Sequence, residues 1–149
     1  MIHIITNKKN TTYDYFFEDC EAFFRAKIHS NSFTEDDLMV MKSIDNAILL
    51  DKAIGTIKTD FGVTSIDNLS TGCKVVLTYL YIIRNKKDYE GKILLETTEC
   101  GANALDVLFE LAEKYDDETI YFLLRHHNDL FKCKSRDYKV DGENKKILL

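Results

Sequence analysis

The sequence predicts one α+β domain over residues 1–149, with a mixed β-sheet and about three helices packed mainly on one face. Three observations carry this. The chain has 149 residues, the size of an ordinary domain, which buries roughly 68–70% of its unfolded surface without staples. Apolar residues make up 45% and charged residues 30%, with nine Phe and eight Tyr to fill a core. Short β-branched runs are interspersed with segments of helical spacing, without an internal repeat.

The elements follow in order. Ile2-His3-Ile4-Ile5 is β-branched and reads as a first strand, closed by the turn Asn7–Asn10. Phe16, Cys20, Phe23, Phe24 and Ile28 recur at one-face helical spacing and predict a first helix, ended at His29–Ser32. Thr34-Glu35-Asp36-Asp37 has the form of a capping box with acids in the first turn, opening a second helix marked by Leu38, Met41 and Ile44. Ala47–Leu50 fits either the end of that helix or a short strand. Asp51–Ser70 loses periodicity and is punctuated by Gly55, Asp60 and Gly62. It reads as loops with short extended pieces, or a concealed hairpin.

Val75–Ile83 is apolar on both faces and predicts a central strand, with a helix as the alternative because the run is long. Arg84–Asp88 is an exposed turn and Ile93-Leu94-Leu95 a short strand. Leu105, Leu108, Phe109, Ala112 and Tyr115 mark a last helix, with Asn103 as its N-cap. Thr119–Leu124 is a strand. Phe131–Val140 and Lys145–Leu149 form a hairpin around Asp141-Gly142. Proline is absent, so Gly, Asn, Asp and Ser must set the turns.

The net charge of −5 disfavours general binding to nucleic acid or a membrane surface. Acids cluster from Asp14 to Asp37 and bases from Arg125 onward, including Lys132, Lys134 and Arg136. Solvated surface accounts for both; a bipolar surface for a partner or for self-association is the sharper alternative. No apolar run reaches membrane-spanning length and no signal peptide is evident, which points to the cytoplasm. Cys20, Cys73, Cys100 and Cys133 are scattered, as reduced cytosolic thiols would be.

Two glycine turns stand out. Leu69-Ser70-Thr71-Gly72-Cys73-Lys74 suggests a phosphate loop, but that motif needs a second glycine at fixed spacing, Ser or Thr after the lysine, and a helix. Here Val75 follows Lys74 and the next stretch reads as a strand. The turn also echoes the signature motif of transporter-type ATPases, which acts only opposite a phosphate loop. As a plain turn, Ser70 or Thr71 would cap it and Gly72 would take a backbone angle closed to other residues. Cys100-Gly101-Ala102-Asn103 opens a helix, where an anion could bind or a thiolate be favoured. Cys100 with His126 or His127 as base is the one enzymatic arrangement on offer.

His126-His127 does not read as a metal site, since adjacent strand residues point to opposite faces. Glu35-Asp36-Asp37 is explained by helix capping.

These motifs, with the acidic helix ending in Ile44-Asp45 and with Ile54-Gly55, resemble a small bacterial family known only as a domain of unknown function. The resemblance covers roughly residues 15–125. It implies a fold neighbourhood and no chemistry. The chain departs from that pattern in having no proline near Gly55.

The expectation is therefore a non-enzymatic binding module without cofactor or metal, of the kind found among accessory or phage-like genes. A protein partner or a second copy would dock on Tyr13, Phe16, Phe17 and Phe24, because the aromatics of the first helix wrap more than one face. A small ligand would sit on Ser70, Thr71, Gly72, Lys74, Cys100, Gly101 and Asn103. The alternatives are a Cys100 enzyme and a weak nucleic-acid binder using the basic tail.

Overall fold

The computed structural model describes residues 1–6, 20–51, 54–124, 137–140 and 143–146, the last four as backbone only. The strands are β1 (Ile2–Thr6), β2 (Ala22–Phe24), β3 (Thr56–Thr59), β4 (Gly62–Ser65), β5 (Ile93–Glu96), β6 (Ile120–Leu124), β7 (Asp137–Val140) and β8 (Glu143–Lys146). The helices are α1 (Glu35–Ile44), α2 (Thr71–Arg84) and α3 (Ala102–Tyr115). Six strands form one sheet in the order β2-β5-β6-β1-β7-β8, and β3-β4 form a separate antiparallel pair. Every neighbouring pair in the large sheet is parallel except β7-β8. This is the expected α+β plan: a mixed sheet with three helices.

The three strands at the middle of the sheet explain why their sequences are apolar throughout. Ile4, Leu95 and Phe122 face the helices, whereas their neighbours Ile5, Leu94 and Leu123 form a separate buried cluster. Successive residues point to opposite faces, so burial of both faces demands continuous apolar runs. On the helical face, Val76, Tyr79 and Ile82 of α2 and Leu108 and Phe109 of α3 meet those strands. A further core of Phe33, Leu38, Met41, Ile57 and Cys73 joins α1 and the small hairpin to α2.

Two expectations are corrected, and two open alternatives are resolved. Val75–Ile83 is not a central strand but the body of α2. Nine of its 14 residues are buried, because α2 is enclosed by the sheet, α1 and α3. A helix covered on every side loses its polar stripe, and with it the periodicity that would reveal it. The described end of the predicted first helix is instead an edge strand, with Ala22 opposite Ile93 and Phe24 opposite Leu95. Phe23 and Phe24 accordingly join different clusters, as strand neighbours must. Tyr13, Phe16 and Phe17 lie outside the described residues. The aperiodic 51–70 stretch contains the β3-β4 hairpin, its turn relieved by Gly62 at φ 123°. Ile48 bridges to Thr59, so Ala47–Leu50 lies beyond α1 and beside the hairpin.

The capping box is present: Thr34 Oγ1 accepts from the Asp37 N–H at 3.2 Å, and Asp37 Oδ2 accepts from the Thr34 N–H at 3.1 Å. A last antiparallel pair is present as expected, Asp137–Val140 with Glu143–Lys146, so its second strand begins at Glu143 and not at Lys145; residues 131–136, 141–142 and 147–149 lie outside the described residues.

Candidate functional site

α2 and α3 begin side by side. A β-carbon built on Gly72 would lie 2.5 Å from Cβ of Ala104, closer than real Cβ contacts come. Gly72 is therefore required by close helix approach. It is not a left-handed turn residue: it lies within α2, and among the described residues the glycines at positive φ are Gly55 and Gly62.

The loop leading to α3 is held by the end of β6. Thr97, 1% exposed, donates from its N–H at 3.0 Å and from Oγ1 at 2.7 Å to the Leu123 carbonyl. The Cys100 N–H donates to the Thr97 carbonyl at 3.0 Å. This tight turn delivers Gly101 and α3 just beyond the carboxyl ends of β5 and β6, the customary ligand position in parallel sheets.

Between the two helix starts lies an open cleft of about 480 Å³. Ser70, Thr71 and Gly72 line one side; Gly101, Ala102 and Asn103 line the other. Five of the seven residues expected to bind a ligand thus meet, although about 30 positions separate the two turns. Lys74 and Cys100 do not line the cleft. Ile44, Glu99, Ala102 and Ala104 do, and nothing in their local sequence distinguished them.

The two helix starts differ electrostatically. At α2, Ser70 Oγ accepts from the Cys73 N–H at 3.3 Å. At α3 the N-cap is Gly101, which has no side chain to offer, and the expected cap Asn103 is instead the second helical residue, two positions past it. The first intrahelical bond runs from the Leu105 N–H to the Gly101 carbonyl. The N–H groups of Ala102, Asn103 and Ala104 precede it and have no partner among the described residues. They are orphan donors at the positive end of the helix dipole.

No family model, curated protein or solved structure matches this chain. The chemistry must be read from the cleft itself.

The cleft offers hydrogen-bond donors and little acid–base machinery. Cys73 lies beneath it, 1% exposed, with its thiol pKa pushed up by burial, which opposes thiolate formation. Cys100 is half-buried; its proposed bases His126 and His127 lie outside the described residues, as do Lys132, Lys134 and Arg136 of the basic tail. The phosphate-loop comparison changes in one respect. A helix does follow Lys74, as that motif needs, but the missing glycine and Val75 still depart from it. Among the described residues no group of three His, Cys, Asp or Glu side chains is placed to hold a metal.

Phe24, of the expected docking surface, is half-buried. Its ring packs edge-on against Tyr89 at 5.7 Å and Tyr81 at 6.3 Å. The most exposed large apolar side chains among the described residues lie around the small hairpin: Phe61 is 92% exposed, Ile54 82% and Val63 65%.

Proposed function

We propose that this chain is a non-enzymatic binding module that holds a compact oxyanion, such as a phosphate or carboxylate group, in the cleft between the starts of α2 and α3. One observation carries the reading: two turns distant in sequence converge on a single open cleft, one wall of which presents an uncapped helix N-terminus. Orphan N–H groups and the helix dipole favour anionic acceptors there.

Calorimetric titration with inorganic phosphate tests this, comparing the native chain with Gly101→Asp. A β-carbon at Gly101 meets nothing within 4 Å, so Asp fits and supplies the missing cap. Its carboxylate would occupy the same donors, and phosphate affinity should fall at least about tenfold, equivalent to about 1.4 kcal/mol. Equal affinity in the two proteins, or no binding to the native chain, would refute the reading.

A second reading rests on the hairpin. Phe61 and Val63 place two exposed apolar side chains at the turn end of the hairpin, suited to a protein partner or a second copy. Sedimentation across a concentration series should show self-association that Phe61→Ser disperses. A native chain that stays monomeric throughout removes the second copy as the partner.

A further inference from the structure

A second cavity, of about 230 Å³, lies one to three turns further along α2 and shares no lining residue with the cleft. It has the room of about eight water molecules. Ile28, Phe33 and Leu77 give it apolar walls, and Tyr81 an aromatic one. The Tyr81 ring is itself held: His29 stacks on it with centroids 4.2 Å apart and planes 10° from parallel, and Phe24 meets both rings edge-on. Burial, and then Lys27, hold the His29 pKa below its ordinary value of 6.5, so this wall is uncharged at neutral pH.

The remaining lining includes an ion pair. Asp37 has a side chain 4% exposed, and its carboxylate accepts from two nitrogens of Arg84 and from the Thr34 N–H. The capping box fixes Asp37, and Asp37 fixes Arg84. An arginine carries five N–H donors in a rigid plane; two are spent on Asp37, and three have no partner among the described residues. The Arg84 side chain is 51% exposed. The cavity thus combines an aromatic wall, an apolar floor and one immobilised cation with donors to spare. A wholly apolar occupant would cover those donors without replacing their water. An acceptor-bearing occupant would satisfy them, and a guanidinium already in place loses little freedom on binding.

We propose that this cavity is a binding site for a single-ring aromatic carboxylate, with its ring against Tyr81 and Leu77 and its carboxylate on the spare N–H groups of Arg84. The test is a nitrogen-15 NMR titration of the full chain with benzoate, benzyl alcohol and cyclohexanecarboxylate, following Arg84 Nε–H and the amides of residues 28–34 and 77–84. Benzoate should shift these signals saturably at millimolar concentration. Benzyl alcohol, lacking the carboxylate, and cyclohexanecarboxylate, lacking the flat ring, should each bind about tenfold more weakly. Ser32→Phe, at an exposed lining position, should fill the cavity and abolish the shifts. Arg84→Lys keeps a cation for Asp37 but loses the planar fork of spare donors, and should narrow the preference for the acid over the alcohol. Benzoate shifts confined to residues 70–72 and 101–104, equal binding of all three probes, or shifts that survive Ser32→Phe in a folded protein would each overturn the proposal.

Discussion

The starts of α2 and α3 lie against each other, yet they solve the same problem in opposite ways. α2 begins with a serine cap and uses a glycine for closeness: Ser70 takes up the Cys73 N–H, and Gly72 lets Ala104 approach. α3 begins with a glycine that does neither. Gly101 caps nothing with its side chain and has open space where a β-carbon would go. One start has a side-chain cap on one of its first N–H groups, while the other has none and leaves all of them to the cleft at a cost in helix stability. Stability alone explains Gly72; it does not explain Gly101.

The largest expected effect comes from breaking the close approach. Gly72→Ala forces a methyl into Ala104 and should cost about 1–3 kcal/mol, read as a lower denaturant midpoint with an unchanged slope. Ser70→Ala removes the one side-chain cap of the pair and should cost about 1 kcal/mol, measured the same way. Gly101→Asp should do the opposite, raising stability by a few tenths of a kcal/mol while weakening phosphate. A loss of stability at Gly101 comparable to that at Gly72 would erase the contrast between the two starts.

The smallest effect is a pH dependence away from both. His3 and His29 have pKa values lowered chiefly by burial. The unfolded chain then binds more protons than the folded one around and below pH 6.5, so stability rises with pH through that window. Denaturation midpoints should fall as pH drops from 7.5 toward 5.5, and His29→Gln should flatten part of that slope.

Much of the architecture was legible because local signals agreed with the tertiary outcome. Thr34 and Asp37 announce α1, Leu105 to Tyr115 announce α3, and the continuous apolar runs at 93–95 and 120–124 announce strands buried on both faces. The α2 segment looks like a strand in sequence for the same physical reason that 93–95 and 120–124 do. Burial on all sides makes a helix and an inner strand look alike, and only the length of the run separates them. β2 was hidden because Phe16, Cys20, Phe23 and Phe24 happen to fall at helical spacing; pairing with β5 outweighs that pattern at its described end. The cleft residues from the two glycine turns could be named, but not their meeting, which depends on how α2 and α3 pack. Glu99 and Ile44 carry no local mark of cleft residues. The Tyr81–His29 stack and the Asp37–Arg84 pair join segments about 50 positions apart, and such contacts are invisible to spacing arguments.

The position of β1 governs how the chain can be made. Its partners are β6, with His3 opposite Tyr121, and β7, with Ile2 opposite Tyr138. β1 is thus an inner strand whose neighbours follow it in the chain only from residue 120 onward. At the usual 5–20 residues per second, the interval before β6 emerges is roughly 6–24 s. Through that time the Ile2–Ile5 segment has no strand beside it on either edge. A nascent chain arrested before residue 120 should therefore be held by a chaperone or be lost to proteolysis, and release of β6 and β7 should end both fates.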